Sequence, residues 1–234
     1  WNGTAWAEDA AINQARYDGA GFGASSTSGI IVAGFHTPPG TNANNAEEFD
    51  GTSWTALATL STGRRALGAA GVVDAGIAMG GEGPAMSALT EEWNGTSWTE
   101  VGDLNTARNA LSSAYQGTTT AAMVFGGLNP GAAWGTVQVA TEKYNGTAWT
   151  EVNNLNTGRG FGGGAGNQAG ALYFGGTGPT YPGVVGINES WDGTNWTEAA
   201  DLATARRSPG DYSGSSAAAL AIAGMAGPGS ASQT

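Results

Sequence analysis

"YNGTAWTEVNNLNTGR" spans residues 144–159, and its relatives recur along the chain. They read "WNGTAWAEDAAINQAR" (1–16), "FDGTSWTALATLSTGR" (49–64), "WNGTSWTEVGDLNTAR" (93–108) and "WDGTNWTEAADLATAR" (191–206). In every copy an aromatic residue precedes Asn-Gly or Asp-Gly, and a tryptophan follows at Trp6, Trp54, Trp98, Trp149 and Trp196. An arginine lies ten residues beyond each tryptophan, at Arg16, Arg64, Arg108, Arg159 and Arg206. Four residues before the arginine stands Ile12, Leu60, Leu104, Leu155 or Leu202. Successive tryptophans are 48, 44, 51 and 47 residues apart, a period in the range of stacked or radial repeat folds.

Each unit predicts four short strands. A strand rich in small residues follows the arginine ("GAGFGAS", "ALGAAGV", "NALSSAY", "GFGGGAG", "GDYSGSS"). An apolar run closing on glycine comes second ("IIVAGF", "GIAMGG", "AMVFGG", "LYFGG", "LAIAGM"). The third strand ends on the first aromatic and the fourth carries the tryptophan. Asn-Gly or Asp-Gly between them is a strong hairpin signal, and a type I′ turn is expected. Four antiparallel strands per period make a propeller blade.

These residues resemble the kelch repeat: an apolar strand closing on Gly80-Gly81, Gly126-Gly127 or Gly175-Gly176, then an aromatic, a tryptophan and "L-x-x-x-R". The doublet is expected to decay to Gly34-Phe35 and Gly224-Met225 in the other copies. The compact "NGTxW" form is also similar to repeats in virion structural proteins of marine phages. The resemblance covers the whole chain. It implies an all-β, five-bladed β-propeller in one domain, residues 1–234, with units near 16–63, 64–107, 108–158, 159–205, and 206–234 plus 1–15. Small residues on all five first strands suit a narrow axis. From Arg206 to Thr234 is 28 residues, so Trp1 would come next in phase, and the two ends are expected to share the fifth blade.

Composition narrows the function. There are 41 glycines and only 12% charged residues, which suits short strands and tight turns. The net charge of −11, with one lysine and seven arginines, leaves no basic stripe for a nucleic-acid backbone or an anionic membrane. With no cysteine there is neither a disulfide nor a thiolate metal site, and no apolar run approaches a membrane span. No cofactor and no metal are expected, because no run of converging oxygens of the Asp-x-Asp-x-Asp kind appears. His36 is the sole histidine, and no nucleophile–base set can be assembled around it.

The repeated tryptophans are read as packing between blades, and the repeated arginines as scaffold, with Glu100, Glu151 and Glu198 as possible partners. The acids of "AEEF", "TEEW" and "TEKY" are expected to face solvent. Asn2, Asn94 and Asn145 head Asn-Gly-Thr sequons, but aspartate replaces asparagine at Asp50 and Asp192, which a turn tolerates and a glycan acceptor does not. Asp18 and Asp211 are the only carboxylates placed on inner strands, a thin basis for a channel hydrolase.

The second-to-third strand loops vary most, and variable loops on a rigid scaffold are where binding usually resides. They offer Trp134, Tyr181, His36 and Met86 as candidate binding residues. The expected function is a non-enzymatic, monomeric binding or structural module displayed on a virion or outside a cell, recognising protein or glycan. The alternatives are a lectin with one shallow sugar pocket per blade, an excised or engineered ring without a ligand, and the channel hydrolase.

Overall fold

A computed structural model describes residues 4–5, 7–129, 136–179, 183–208 and 210–227. Among the described residues every regular element is a β-strand. Four consecutive units each form a four-stranded antiparallel sheet with the strands in chain order. Unit one is Ala20–Ser25, Ser28–Val32, Ala46–Phe49 and Trp54–Ala56. Unit two is Gly68–Val72, Ala75–Met79, Thr90–Trp93 and Trp98–Glu100. Unit three is Ser112–Ser113, Met123–Phe125, Thr141–Tyr144 and Trp149–Val152. Unit four is Gly163–Asn167, Gly170–Phe174, Asn188–Trp191 and Trp196–Ala199. The fifth unit has the hairpin Gly210–Ser215 and Ala218–Ile222 alone among the described residues.

The core lies between sheets rather than inside one. Phe22, Ile30 and Val32 of unit one pack with Ala69, Ala78 and Trp93 of unit two, and Trp98 leans on the same cluster. Ile77 and Met79 then meet Val124, Tyr144 and Trp149. Met123 and Phe125 meet Tyr173, Trp191 and Trp196. The fourth-strand tryptophans therefore face the preceding unit. Trp149 Nε1 donates to Thr90 Oγ1 at 3.1 Å, and Trp196 Nε1 to Thr141 Oγ1 at 2.9 Å. Each bond fixes one sheet against the next, whereas the equivalent Trp98 Nε1 is buried without a partner.

Backbone bonds also stitch neighbouring units. The residue two beyond each repeat arginine sits in the left-handed region: Asp18 (φ 53°), Ala66 (51°), Ala110 (49°), Phe161 (57°) and Ser208 (43°). The amide of each donates to the carbonyl of its predecessor: Ala66 to Asp18 (2.7 Å), Ala110 to Ala66 (2.8 Å), Phe161 to Ala110 (2.9 Å) and Ser208 to Phe161 (2.7 Å). This repeated strain, of order 1–3 kcal/mol per residue, persists because the bond it permits joins two sheets. The described bonds include none returning from Asp18 to Ser208, so the series is open among the described residues.

The hairpin turn differs from the expected type I′. Only its glycine has positive φ: Gly51 (93°), Gly95 (88°), Gly146 (90°) and Gly193 (99°). The strands end at Trp93 and restart at Trp98, so the connection has four residues rather than two. Asn94 Oδ1 accepts from Thr96 N and Ser97 N, both at 2.9 Å, and Asp50 Oδ1 does the same for Thr52 and Ser53 at 2.8 Å. The side-chain oxygen organises the loop, which is why aspartate and asparagine interchange there. The glycine doublet is also better kept than expected. Ala33-Gly34 and Ala223-Gly224 fill its place, with Ala33 (φ 60°) and Ala223 (58°) matching Gly80 (64°). Gly34, Gly81, Gly127 and Gly176 donate to the carbonyls of Arg64, Arg108, Arg159 and Arg206 in the next unit, at 2.8–2.9 Å.

Candidate functional site

Four repeat arginines end in buried ion pairs, and their partners are Glu47, Glu91, Glu142 and Glu189 on the third strands of their own units. This corrects both the expectation that Glu100, Glu151 and Glu198 serve the arginines and the solvent-facing assignment of the first acid in "AEEF", "TEEW" and "TEKY". Glu91 stands two residues before buried Trp93 and shares its face, because strand side chains alternate. Glu100, Glu151 and Glu198 lie on the neighbouring strand, opposite Glu91, Glu142 and Glu189.

Each pair is held through the arginine Nη groups, while the buried Nε has no partner. Arg64 Nη2 meets Glu91 Oε1 at 2.8 Å, while Nη1 donates to the carbonyls of Gly80 (2.9 Å) and Leu89 (2.6 Å). Arg108 repeats this with Glu142 at 2.7 Å, and the other carboxylate oxygen takes Asn105 N and Nδ2, both at 2.8 Å. Arg159 meets Glu189 at 2.5 Å and lies 4.2 Å from the centre of the Tyr173 ring, whose phenol burial pushes up to about 12. Burial pulls the Arg64 and Arg108 guanidinium groups below their usual value, and the facing glutamates oppose it. At Glu189 desolvation pushes upward, but bonds from Arg159 and Asn156 outweigh it and leave the carboxyl below the usual range. The described bonds of these arginines all run to groups inside the protein. Arg206 differs: its described bonds are to the carbonyls of Ala223 (2.6 Å) and Thr204 (3.4 Å), with no carboxylate among the described residues.

Of the expected binding residues, Trp134 and Tyr181 lie outside the described residues, as does Trp6 among the repeat tryptophans. His36 is buried in the short strand Phe35–His36, with Nδ1 3.3 Å from Ala15 O and Nε2 3.1 Å from Asn45 Oδ1. Met86 is half-buried and bridges Glu82 through its backbone. Asp18 sits beside Arg65 and Glu82, and the side chain of Asp211 is outside the described set. Among the described residues no group of three His, Asp or Glu side chains converges as a metal site.

A different set gathers on the loop edge. The residue after each repeat arginine pairs, through backbone, with the residue after the Ala-Gly or Gly-Gly doublet: Tyr17 with Phe35, Arg65 with Glu82, Asn109 with Leu128, Gly160 with Thr177 and Arg207 with Met225. Side chains link these pairs across units. The Tyr17 and Phe35 rings lie 5.4 Å apart, and the Arg65 guanidinium lies 4.9 Å from the centre of the Phe35 ring. Arg65 Nη2 reaches Glu82 Oε1 at 3.3 Å, and Asn109 Nδ2 donates to Glu82 Oε2 at 2.8 Å. Asp18 keeps solvent contact, yet desolvation by the surrounding edge pushes its carboxyl up against the pull of Arg65, and Glu82 adds to the rise.

No family model and no curated protein matches the chain. Sequence reasoning missed Tyr17, Phe35, Arg65, Glu82 and Asn109 because they do not repeat. The available signal was positional: each flanks an invariant arginine or doublet yet changes from unit to unit.

Proposed function

We propose that this chain is a non-enzymatic binding module that recognises a protein or glycan through its loop edge. Its scaffold is a five-bladed propeller of the kelch-like kind, in which the two terminal segments complete the fifth blade and close the ring. It acts as a monomer displayed on a virion or cell surface, as the similarity to phage structural repeats suggests. One observation supports this most. The repeated side chains make their described bonds between and within sheets, whereas the variable residues beside them collect on one edge as an aromatic pair followed by guanidinium, carboxylate and amide. Function follows such a site and not the fold.

The test is a screen of the intact protein against a printed glycan array and an array of surface-displayed proteins, repeated with the double variant Tyr17→Ala/Arg65→Gln. A ligand retained by the parent and lost by the variant is the expected result. Ligands bound equally by both, or turnover of any of them, would overturn the proposal.

A further inference from the structure

Four units share one arrangement where the third strand begins. The first residue of each doublet donates its amide to the carbonyl just before that strand: Ala33 to Asn45 (3.0 Å), Gly80 to Leu89 (2.9 Å), Gly126 to Ala140 (3.0 Å) and Gly175 to Ile187 (2.9 Å). Two residues further on stands the glutamate that meets the repeat arginine, at Glu47, Glu91, Glu142 and Glu189. Unit five has the same donors without these acceptors. Arg206 Nη1 reaches the Ala223 carbonyl at 2.6 Å, as Arg64 Nη1 reaches that of Gly80, so the guanidinium is placed like the others. Among the described residues it meets no carboxylate, and no described bond uses the Ala223 amide. The strand Ala218–Ile222 pairs there with Gly210–Ser215 alone, which leaves its other edge open. Leu220 is 58% exposed, whereas the equivalent Ile30, Ile77 and Met123 are at most 3% exposed.

We infer that the open edge of Ala218–Ile222 is the docking site of this chain's own residues 231–234, and that Gln233 is the partner of Arg206. The segment lies outside the described residues, and the reading rests on the terminal segments completing the fifth blade. The register follows from the other units. Ala231 supplies the carbonyl for the Ala223 amide, and Gln233 comes two residues later, as Glu91 follows Leu89. From Ala221 to Gln233 is 12 residues, against 13 from Ala78 to the opposed Glu91. Among residues 228–234 only Gln233 has a long side chain ending in an oxygen. Glutamine has the reach of glutamate and offers the guanidinium one acceptor oxygen without the charge. Charge-assisted bonds are about twice as strong as neutral ones, so the fifth unit is held less firmly than the four with ion pairs.

Paired cysteines in the intact chain test the strand directly, since the sequence has none of its own. In this register Ile222 lies opposite Ser232, as Met79 lies opposite Thr90. Ile222→Cys/Ser232→Cys should close a disulfide within one chain on mild oxidation, read by mass, because opposed strand residues are close enough to bridge. Ile222→Cys/Gln233→Cys should not, because a shift of one residue turns the side chain to the other face. Melting then tests the side chain. Gln233→Glu should raise Tm by about 2–4 °C in the parent, and lower it beside Arg206→Met, where the new charge has no partner. No bridge in Ile222→Cys/Ser232→Cys, a bridge joining two chains, or a Gln233→Glu shift of the same sign in both backgrounds overturns the inference. The readings fail separately. A bridge in a chain whose Tm survives deletion of residues 1–9 keeps the third strand and removes ring closure. A ligand lost in Tyr17→Ala/Arg65→Gln, with no bridge formed, keeps the loop edge and sinks the strand.

Discussion

Replacing Glu142 with glutamine removes one charge from a site that water does not reach. The Arg108 and Glu142 side chains are both 0% exposed, and their closest atoms are 2.7 Å apart. Glutamine keeps the volume and one acceptor oxygen, but it leaves the Arg108 cation facing a neutral group. It also forces an amide against the Asn105 N–H groups that Glu142 Oε2 now accepts. Breaking a buried pair from one side costs about 3–5 kcal/mol, because the surviving charge stays desolvated. For a chain of this size each kcal/mol moves Tm by about 2–4 °C, so a fall of about 6–20 °C is expected. Circular dichroism during a thermal ramp, together with urea unfolding followed by tryptophan fluorescence, reads the effect. Two companions sharpen it. Arg108→Met with Glu142→Leu removes both charges and should cost less than either single change. Arg206→Met gives up two carbonyl contacts and no carboxylate, so it should cost at most about 1–2 kcal/mol. A Glu142→Gln shift under about 2 °C, or an Arg206→Met loss equal to that of Arg108→Met, would refute the reasoning.

Asn94→Asp should leave stability within a few tenths of a kcal/mol, whereas Asn94→Ala should lose about 1 kcal/mol or more with the acceptor for Thr96 and Ser97, as urea unfolding would show. The carboxyls of Asp50 and Asp192, which accept backbone N–H bonds, and of Glu189, beside Arg159, lie below their ordinary values. Their contribution is thus complete above the unfolded carboxylate range, near pH 4, and is lost as pH falls through the lower folded values. Unfolding midpoints measured down a pH series should drop on that side, and less steeply for Asp50→Asn/Asp192→Asn. Deleting residues 1–9 should sharply lower the melting temperature if the terminal segments complete the fifth blade, and an unchanged value would remove ring closure from the proposal.

The strand order of the four complete units was legible because period, glycine doublet, aromatic and tryptophan all mark strand ends. The place of the tryptophans between sheets was legible too, since a residue that large repeated at fixed spacing has nowhere else to go. The ion pairs were half legible. The arginines were evident, but the acids "EE" and "EK" looked like a solvated run, although alternation from Trp93 and Tyr144 puts Glu91 and Glu142 on the buried face. The turn was misread because Asn-Gly carries two meanings. In a two-residue hairpin it supplies two positive φ angles; here the asparagine supplies an oxygen and only glycine supplies the angle. The loop edge was not legible at all, since its members are scattered over residues 17–109 and share no chemistry.

That scatter separates the candidate ligand modes. A pocket repeated in every unit requires equivalent residues at equivalent positions, and the first four units do supply them, in the arginine, the glutamate and the tryptophan. Those side chains make their described bonds within the scaffold. Arg108 has Glu142 and two carbonyls, Trp149 has Thr90, and Glu142 has Asn105 as well as Arg108. The position after each arginine is not repeated, and the positive-φ residue follows it. There the pairs run aromatic–aromatic, cation–anion, amide–leucine, glycine–threonine and arginine–methionine. Five unlike pairs cannot make five like pockets. A ligand read at this edge must meet a single asymmetric surface, and a titration that found five equivalent sites would have to place them somewhere other than the loop edge.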